Sequence, residues 1–242
     1  MKNGKKLIVA NWKMHKTQTE SLEFLNFFLN EIKKDHDREV ILFPPFTSLG
    51  VISKHLYGTK VRLGAQNIHW DDYGSYTGSI SGLMLGELDV KYVIVNHYER
   101  LRCEQNPYDK MTNLRLKAAQ RHAITPILCV GETQEQRNAD ETEKIIDTQL
   151  SNALSDVDLN NLIIGYESIW AIGTGESCKP SEANRIIAWI RKQLGKKDIP
   201  IIYGGSVTHS NIKGIMAQPE INGVMVGSLS LDPTSLARIV NF

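Results

Sequence analysis

The stretch LIIGYE, residues 162–167, decides the fold class that the sequence predicts. Three aliphatic residues and a glycine run without a polar interruption, and one tyrosine separates them from the carboxylate of Glu167. A continuously apolar run, unlike an alternating one, is typical of a parallel β-strand that is covered on both faces. The stretch therefore predicts a buried strand with an ionisable residue at its carboxyl end.

Similar short runs recur along the whole chain, with helical patterns between them. The candidate strands cover residues 7–10, 40–43, 61–64, 92–95, 126–130, 162–165, 200–203 and 223–226. The clearest amphipathic helical patterns cover residues 21–33, 106–122, 142–154 and 181–194. Thr17 or Thr19, Thr133 and Pro180 provide helix start signals ahead of such patterns.

Eight strand–helix units predict an α/β protein with a (β/α)8 barrel, folded as a single domain over residues 1–242. The alternative is an open doubly wound sheet, which usually has fewer strands and often carries a nucleotide-binding fingerprint after its first strand. Here the first strand runs into NWKM at residues 11–14. The pattern therefore favours the barrel.

The charge balance argues against whole classes of partner. The chain has 28 Lys and Arg against 27 Asp and Glu, a net charge of +1, so no overall field attracts nucleic acid or an anionic membrane. With 41% hydrophobic and 23% charged residues, the composition fits a soluble protein with a sizeable core. An anionic ligand would need a local site.

The distribution of apolar residues and cysteines indicates a cytoplasmic protein. No stretch approaches the roughly 18 apolar residues of a membrane span, and the apolar run after the basic residues 1–6 is too short for a signal peptide. Cys103, Cys129 and Cys178 are odd in number, far apart and not in metal-ligand spacing. We therefore expect no membrane, no metal site and a reducing compartment.

The residues that follow the predicted strands are rich in chemically reactive types. In a parallel barrel the carboxyl ends of all strands meet at one mouth, where active sites form. The side chains expected at this mouth are Asn11, Lys13, Gln66, Asn67, residues 96–100, Glu132, Glu167, residues 204–206, Gly227 and Ser228.

Glu167, His97 and Lys13 are the main catalytic candidates. A carboxylate that ends a buried strand is partly desolvated, which raises its pKa and makes it a stronger base; a structural ion pair at the rim is the alternative for Glu167. A neutral imidazole at His97 could donate a hydrogen bond to a carbonyl group, whereas the other six histidines are expected at the surface or in packing. Lys13 could stabilise negative charge, and pairing with Glu99 is compatible with that role.

Three glycine-bearing turns, at residues 173–175, 204–206 and 227–228, follow the last three strands. Main-chain N–H groups in such turns bind anions, and (β/α)8 barrels commonly hold phosphate at these loops. Tight turns alone would explain each glycine but not their location in consecutive loops. The sequence therefore predicts a phosphate site on this side of the mouth.

These residues together resemble the triosephosphate isomerase family from end to end. The matching signatures are NWKM at 11–14, Asn67, His97 with Glu99 and Arg100, CVGE at 129–132, Tyr166 with Glu167, WAIGTG at 170–175 and YGGSV at 203–207. The resemblance implies a TIM barrel and an aldose–ketose isomerase of glycolysis and gluconeogenesis that interconverts dihydroxyacetone phosphate and glyceraldehyde 3-phosphate without a cofactor. It also implies a homodimer formed through the loop of residues 70–80.

The same resemblance implies catalytic roles for individual residues. Glu167 would move a carbon-bound proton through an enediolate, and His97 would move protons among the enediolate oxygens. Lys13 and Asn11 would stabilise the charge on those oxygens. Glu99 is expected to be structural, beside the site.

The resemblance further implies how the phosphate and the reaction are enclosed. Residues 169–175 would form a lid that excludes water from the reacting centre. Main-chain groups that would hold the phosphate are those of Gly173, Ser206, Gly227 and Ser228.

Several departures from the family pattern surround the predicted chemistry. Tyr98 follows the histidine where the family usually has serine, and Ser168 follows the base where proline is usual. Both are candidate substrate-selecting residues, so the alternative function is an isomerase for a four-carbon erythrulose phosphate in sugar-alcohol catabolism. A non-catalytic sugar-phosphate binder and a Schiff-base aldolase that uses Lys13 are further alternatives. The other departures are Ala10, Asn96, Leu101 and Ser228.

Overall fold

The structure, a computed structural model, describes residues 5–33, 37–104, 110–172 and 177–242. Within these residues eight parallel strands form one closed barrel in chain order, and β8 pairs with β1. The strands are β1 (Lys6–Asn11), β2 (Arg38–Phe43), β3 (Arg62–Ala65), β4 (Tyr92–Val95), β5 (Thr125–Glu132), β6 (Ile163–Ser168), β7 (Ile201–Tyr203) and β8 (Gly223–Val226). The predicted (β/α)8 TIM barrel is therefore confirmed.

Helices connect the strands on the outside of the barrel. They are α1 (Gln18–Glu31), α2 (Leu49–Leu56), α3 (Gly82–Glu87), α4 (Tyr98–Glu104), α5 (Lys110–Arg121), α6 (Gln134–Asn138), α7 (Thr142–Ala153), α8 (Pro180–Leu194), α9 (Ile212–Met216) and α10 (Pro233–Val240). In the described part of the chain none of these helices has the length and apolar character to cross a membrane.

Two separate apolar cores explain why the strands read as continuous hydrophobic runs. One core lies inside the barrel and includes Leu7, Phe43 and Ile127, and the other lies between the strands and the helices and includes Ile8 and Leu42. Because neighbouring residues of a strand point to opposite faces, a strand that contributes to both cores must be apolar throughout.

The helix ends confirm the predicted starts at Thr17 and Pro180, and they show that Thr133 begins a different helix from the longer one. Thr17, and not Thr19, caps α1, because its hydroxyl accepts from the N–H of Glu20 while the Glu20 side chain binds the Thr17 N–H. Thr133 caps the short α6 instead of the longer α7. Pro180 is the first residue of α8, where its missing N–H costs no hydrogen bond.

The cysteines do not form a cluster in the described part of the chain. Cys129 and Cys178 are buried free thiols, and the side chain of Cys103 lies outside the described residues. No group of three or more metal-ligating side chains occurs among the described residues.

Candidate active site

A cavity of ≈ 560 Å³ opens at the carboxyl ends of the strands. This volume lies within the range of small-molecule sites. Its lining contains most of the side chains that the sequence places at one mouth: Asn11, Lys13, His97, Glu99, Glu167, residues 204–206, Gly227 and Ser228. Gln66 lies at a smaller adjoining cavity that also contacts Asn11, Lys13 and His97.

Glu132 differs from the expectation that it lies at the mouth, because its side chain is fully buried and is not among the cavity-lining residues. Its Oε1 accepts hydrogen bonds from the Tyr166 hydroxyl (3.1 Å) and the Trp170 indole (3.0 Å), and Arg137 Nη1 lies 3.4 Å away. Burial raises the pKa of Glu132 despite these donors. Glu132 thus joins β5 to Tyr166 of β6 and to Trp170 after that strand.

Two glycines fix the position of Glu167 near the end of β6. Gly131 is its register partner in β5, and a Cβ on Gly131 would lie 1.8 Å from the carbonyl oxygen of Glu167. A Cβ on Gly204 would lie 3.2 Å from Cγ of Glu167. Glycine at these positions therefore allows the close approach of the neighbouring backbones to Glu167.

The carboxylate of Glu167 is 2% exposed and has one firmly held oxygen. Oε2 accepts a hydrogen bond from the main-chain N–H of Tyr98 at 3.1 Å. Oε1 lies 3.1 Å from Nε2 of His97, but no described residue donates a well-aligned hydrogen bond to it. Burial raises the pKa of Glu167, although His97, the Tyr98 N–H and Lys13 act in the opposite direction. Glu167, which lines the cavity, can therefore act as a strong base with one carboxylate oxygen that no described donor holds firmly.

A left-handed residue aims His97 at the mouth. β4 ends at Val95, and Asn96 then adopts a φ of 70°, which asparagine tolerates better than most residues. The main-chain N–H of Glu99 donates to Nδ1 of His97 at 3.4 Å. An Nδ1 that accepts a hydrogen bond assigns the proton of the neutral ring to Nε2, so His97 faces Glu167 and the cavity as a donor.

Lys13 lies beyond β1 in a backbone conformation that its neighbours stabilise. Its φ is 55°, its N–H donates to Oδ1 of Asn11 (3.0 Å), and its carbonyl accepts from the amide of Gln66 (2.8 Å). Its Nζ lies 2.6 Å from Oε1 of Glu99, which is the pairing that the sequence suggested. A Cβ on Gly227 would lie 3.9 Å from the same Nζ. The ammonium is thus close to both Glu99 and the turn after β8.

Glu99 is charged in this pair. Burial alone would raise its pKa, but the hydrogen bond and charge of Lys13 hold the pKa of Glu99 below its ordinary value. Oε2 of Glu99 lies 3.8 Å from Nδ1 of His97. Glu99 therefore supports Lys13 with its carboxylate and His97 with its main-chain N–H.

Residues 204–206 and 227–228, for which the sequence predicts a phosphate site, follow β7 and β8 and line the cavity. The hydroxyl of Ser206 donates to the carbonyl of Ala171 at 2.7 Å, so this side chain is engaged with the residues after β6. The carbonyl of Gly227 accepts from both the N–H and the hydroxyl of Ser230 (2.8 and 2.6 Å). Ser228 begins a 3₁₀ turn and is exposed. The whole third turn, residues 173–175 with Gly173, lies outside the described residues.

Tyr98 and Ser168, the candidate substrate-selecting residues, are not among the described residues that line the cavity. The Tyr98 hydroxyl donates to Oε1 of Glu99 at 3.3 Å. The Ser168 hydroxyl is buried and lies 3.1 Å from the hydroxyl of Tyr203. The Tyr98 side chain thus contacts Glu99, which lines the cavity, whereas the Ser168 side chain contacts Tyr203, which is not among the lining residues.

Several wall residues were not singled out from the sequence, namely His15, Thr208, Met225, Leu229 and Leu231. All except Met225, which belongs to β8, follow β1, β7 or β8 within a few residues. The position of these residues shortly after a strand is thus the sequence feature that could identify them as cavity-lining residues. His15 is exposed, as expected, and also borders the cavity.

His69 is a packing residue, as expected for the histidines other than His97. Its ring packs between those of Trp70 and Tyr76, with ring centroids 4.0 Å from each.

Comparison with known proteins decides the family. The sequence model of the family described as "Triosephosphate isomerase" matches residues 6–242. The chain belongs to the triosephosphate isomerase family. Triosephosphate isomerases from Picosynechococcus sp. and Nostoc punctiforme are each 58% identical to it over 240 residues, and that from Gloeothece citriformis is 55% identical. Each alignment covers 98% of this chain and 98–99% of the relative.

Membership of the triosephosphate isomerase family confirms the resemblance that the sequence motifs indicated, and it makes the chain an isomerase. These comparisons give no support to the erythrulose-phosphate isomerase, the non-catalytic binder or the Schiff-base aldolase.

Proposed function

We propose that this protein interconverts dihydroxyacetone phosphate and glyceraldehyde 3-phosphate through an enediolate, as a step of glycolysis and gluconeogenesis. The observation that carries the proposal is the buried carboxylate of Glu167, whose Oε1 lies beside Nε2 of His97 in the same cavity as Lys13. The 58% identity to proteins named triosephosphate isomerase, which extends over 98% of this chain, favours the triose phosphate as the substrate.

In this proposal Glu167 removes a proton from the carbon beside the carbonyl and returns it to the neighbouring carbon. The raised pKa of Glu167 makes its carboxylate a stronger base, because burial disfavours the ionised form and the carboxylate therefore binds a proton more tightly. His97 donates from Nε2 to the substrate oxygens as negative charge develops there. The proton transfers balance without a cofactor, because each proton removed from a carbon or oxygen of the substrate is matched by one proton returned to the neighbouring carbon or oxygen.

Lys13 and Asn11 stabilise the enediolate in the proposed mechanism. The ammonium of Lys13 supplies a positive charge at the cavity wall. Because Oδ1 of Asn11 accepts from the N–H of Lys13, the group that Asn11 can present to a substrate oxygen is its amide NH₂. Glu99 positions Lys13 through their 2.6 Å ion pair.

The turns after β7 and β8 are the proposed phosphate site. Ser206, Gly227 and Ser228 all line the cavity, and Lys13 is close to Gly227. Main-chain N–H groups together with one cation suit a phosphate dianion. Gly173 is proposed as a fourth member from its sequence position only.

The substrate is tested by side-by-side isomerase assays of the purified protein with triose phosphates and with both tetrulose phosphates. We expect rapid interconversion of the triose pair and a kcat/KM for either tetrulose phosphate that is at least about tenfold lower, since a misplaced extra carbon group costs on the order of 1–3 kcal/mol. A higher kcat/KM for a tetrulose phosphate would favour the alternative substrate. Absence of activity on every pair, with folded protein, would overturn the isomerase.

We further propose a single-domain, cytoplasmic protein that forms homodimers through the loop of residues 70–80. Asp72 supports a preformed loop, because it accepts from Arg121 (3.0 Å) and His122 (2.7 Å). On and beside this loop the large side chains of Tyr73, Tyr76 and Met84 border one surface depression and are 82%, 43% and 52% exposed, and such a patch of apolar side chains is typical of an interface.

The dimer proposal is tested by sedimentation of Tyr73→Asp. A charge at the centre of an interface removes apolar contact and adds desolvation cost, so we expect the variant to shift towards monomer. Tyr57→Asp is the matched control, because Tyr57 is 92% exposed and lies outside the loop. A monomeric native protein, or a Tyr73→Asp dimer as stable as the native one, would contradict the proposed interface.

A further inference from the structure

The side chain of Tyr98 packs on the ion pair between Lys13 and Glu99. Its hydroxyl donates to Oε1 of Glu99 at 3.3 Å, and this is the same oxygen that Nζ of Lys13 contacts at 2.6 Å. The ammonium of Lys13 also lies 5.9 Å from the centroid of the Tyr98 ring, within the range of a cation–π contact. Tyr98 thus contacts both members of the pair without lining the cavity.

Two donors therefore share one carboxylate oxygen. Glu99 is partly buried, so it would be costly to leave its charge without a donor. The ammonium of Lys13 can also contact a bound anion, because it lies close to Gly227 in the proposed phosphate site. When an anion in the cavity attracts Lys13, the Tyr98 hydroxyl is the donor that stays with Glu99.

The pKa of Tyr98 is consistent with a hydroxyl that donates its hydrogen bond to Glu99 at all physiological pH values. Burial, followed by the charge of Glu99, raises the pKa of Tyr98 to about 12. The phenol therefore keeps its proton at neutral pH and cannot become a competing anion beside Lys13.

We propose that Tyr98 is a positioning residue whose hydroxyl holds the Glu99 carboxylate while Lys13 shifts its ammonium from Glu99 to the substrate anion. This inference rests on the proposed function of Lys13. Tyr98 acts through Glu99 and does not contact the substrate with its side chain. Without the hydroxyl, Lys13 is the remaining side-chain hydrogen-bond donor to Glu99 among the described residues, so Glu99 holds the ammonium more tightly against the anion.

The first test compares Tyr98→Phe with the native protein, using KM for dihydroxyacetone phosphate and the Kd of inorganic phosphate measured by calorimetry. Loss of one hydrogen bond of ordinary strength, as the 3.3 Å distance indicates, predicts an increase of roughly three- to tenfold in both constants, with kcat within about twofold. Tyr92→Phe is the matched control, because the Tyr92 hydroxyl donates to Glu39 at 2.5 Å, and Tyr92 begins β4 at the end opposite the mouth. It should leave both constants unchanged. Thermal unfolding of both variants verifies that they fold.

The second test repeats Tyr98→Phe in a Glu99→Gln background. A neutral amide holds the ammonium weakly, so the inference predicts that the further substitution changes neither constant. An equal effect of Tyr98→Phe in both backgrounds, no effect in the native background, or a fall in kcat with unchanged KM would overturn it. If the native protein lacks isomerase activity, the proposed function fails, and the phosphate Kd still decides the role of Tyr98.

Discussion

Nε2 of His97 and Oε1 of Glu167 lie 3.1 Å apart, although they come from the ends of two strands that are not neighbours in the barrel. The contact is close, but among the described residues Oε1 has no well-aligned hydrogen bond. A proton donor and a base therefore face one cavity without neutralising each other. This arrangement suits transfer of protons to and from one small substrate.

Replacement of His97 should remove most of the turnover. His97→Gln keeps a polar side chain but loses the imidazole donor, so we expect kcat to fall by about 10²–10⁴-fold, the usual contribution of general acid–base catalysis. KM should change much less, because His97 acts mainly as charge develops. His55→Gln is the control, since His55 is exposed and bonds only Asn26 among the described residues. A His97→Gln variant with more than a tenth of native kcat would exclude this role.

The raised pKa of Glu167 predicts a pH-dependent cost to stability. The folded state binds the Glu167 proton more tightly than the unfolded state does, so folding stability falls as pH rises from the ordinary glutamate pKa through the raised one. Glu167→Gln removes this titration. The unfolding free energy of the variant, relative to the native protein, should therefore increase with pH across that window and then level off. Urea unfolding at a series of pH values measures this difference, and a pH-independent difference would refute the assignment.

The close approach at Gly131 predicts a large effect of a single methyl group. In Gly131→Ala the new Cβ would meet the carbonyl oxygen of Glu167 at 1.8 Å, so β5 and β6 must separate. We expect a loss of about 3 kcal/mol in unfolding free energy, at the upper end of overpacking, together with reduced kcat. Gly214→Ala in α9 is the control, because its Cβ meets nothing closer than Pro180 at 3.6 Å and alanine favours a helix by roughly 1 kcal/mol. Equal unfolding free energies of Gly131→Ala and Gly214→Ala would contradict the prediction that the added methyl group forces β5 and β6 apart.

Strand positions could be predicted well where apolar residues alone mark them. The runs at residues 92–95 and 223–226 coincide with β4 and β8. β6 extends beyond its predicted run to Ser168, because its backbone continues to pair with β5 through polar residues as far as Glu132. Pairing with a neighbour is a tertiary property that hydrophobic pattern does not report.

The site could be predicted to the extent that barrel topology gathers the strand ends. Glu167, His97 and Lys13 share one cavity for that reason. The bond from the Tyr98 N–H to Glu167 was not predictable, since a main-chain donor has no side-chain signature. The sequence pattern around Glu132 does not predict its burial, because its hydrogen-bond partners belong to the following strand and turn.

The central claim is that Glu167 carries the proton between adjacent carbons. Its most direct test is the rate at which dihydroxyacetone phosphate takes up deuterium from solvent, measured by NMR with the native protein and with Glu167→Gln. We predict exchange at carbon with the native protein and a rate at least about a hundredfold lower with the variant, with the Kd of inorganic phosphate changed by less than threefold. Exchange at the native rate by folded Glu167→Gln would contradict the account.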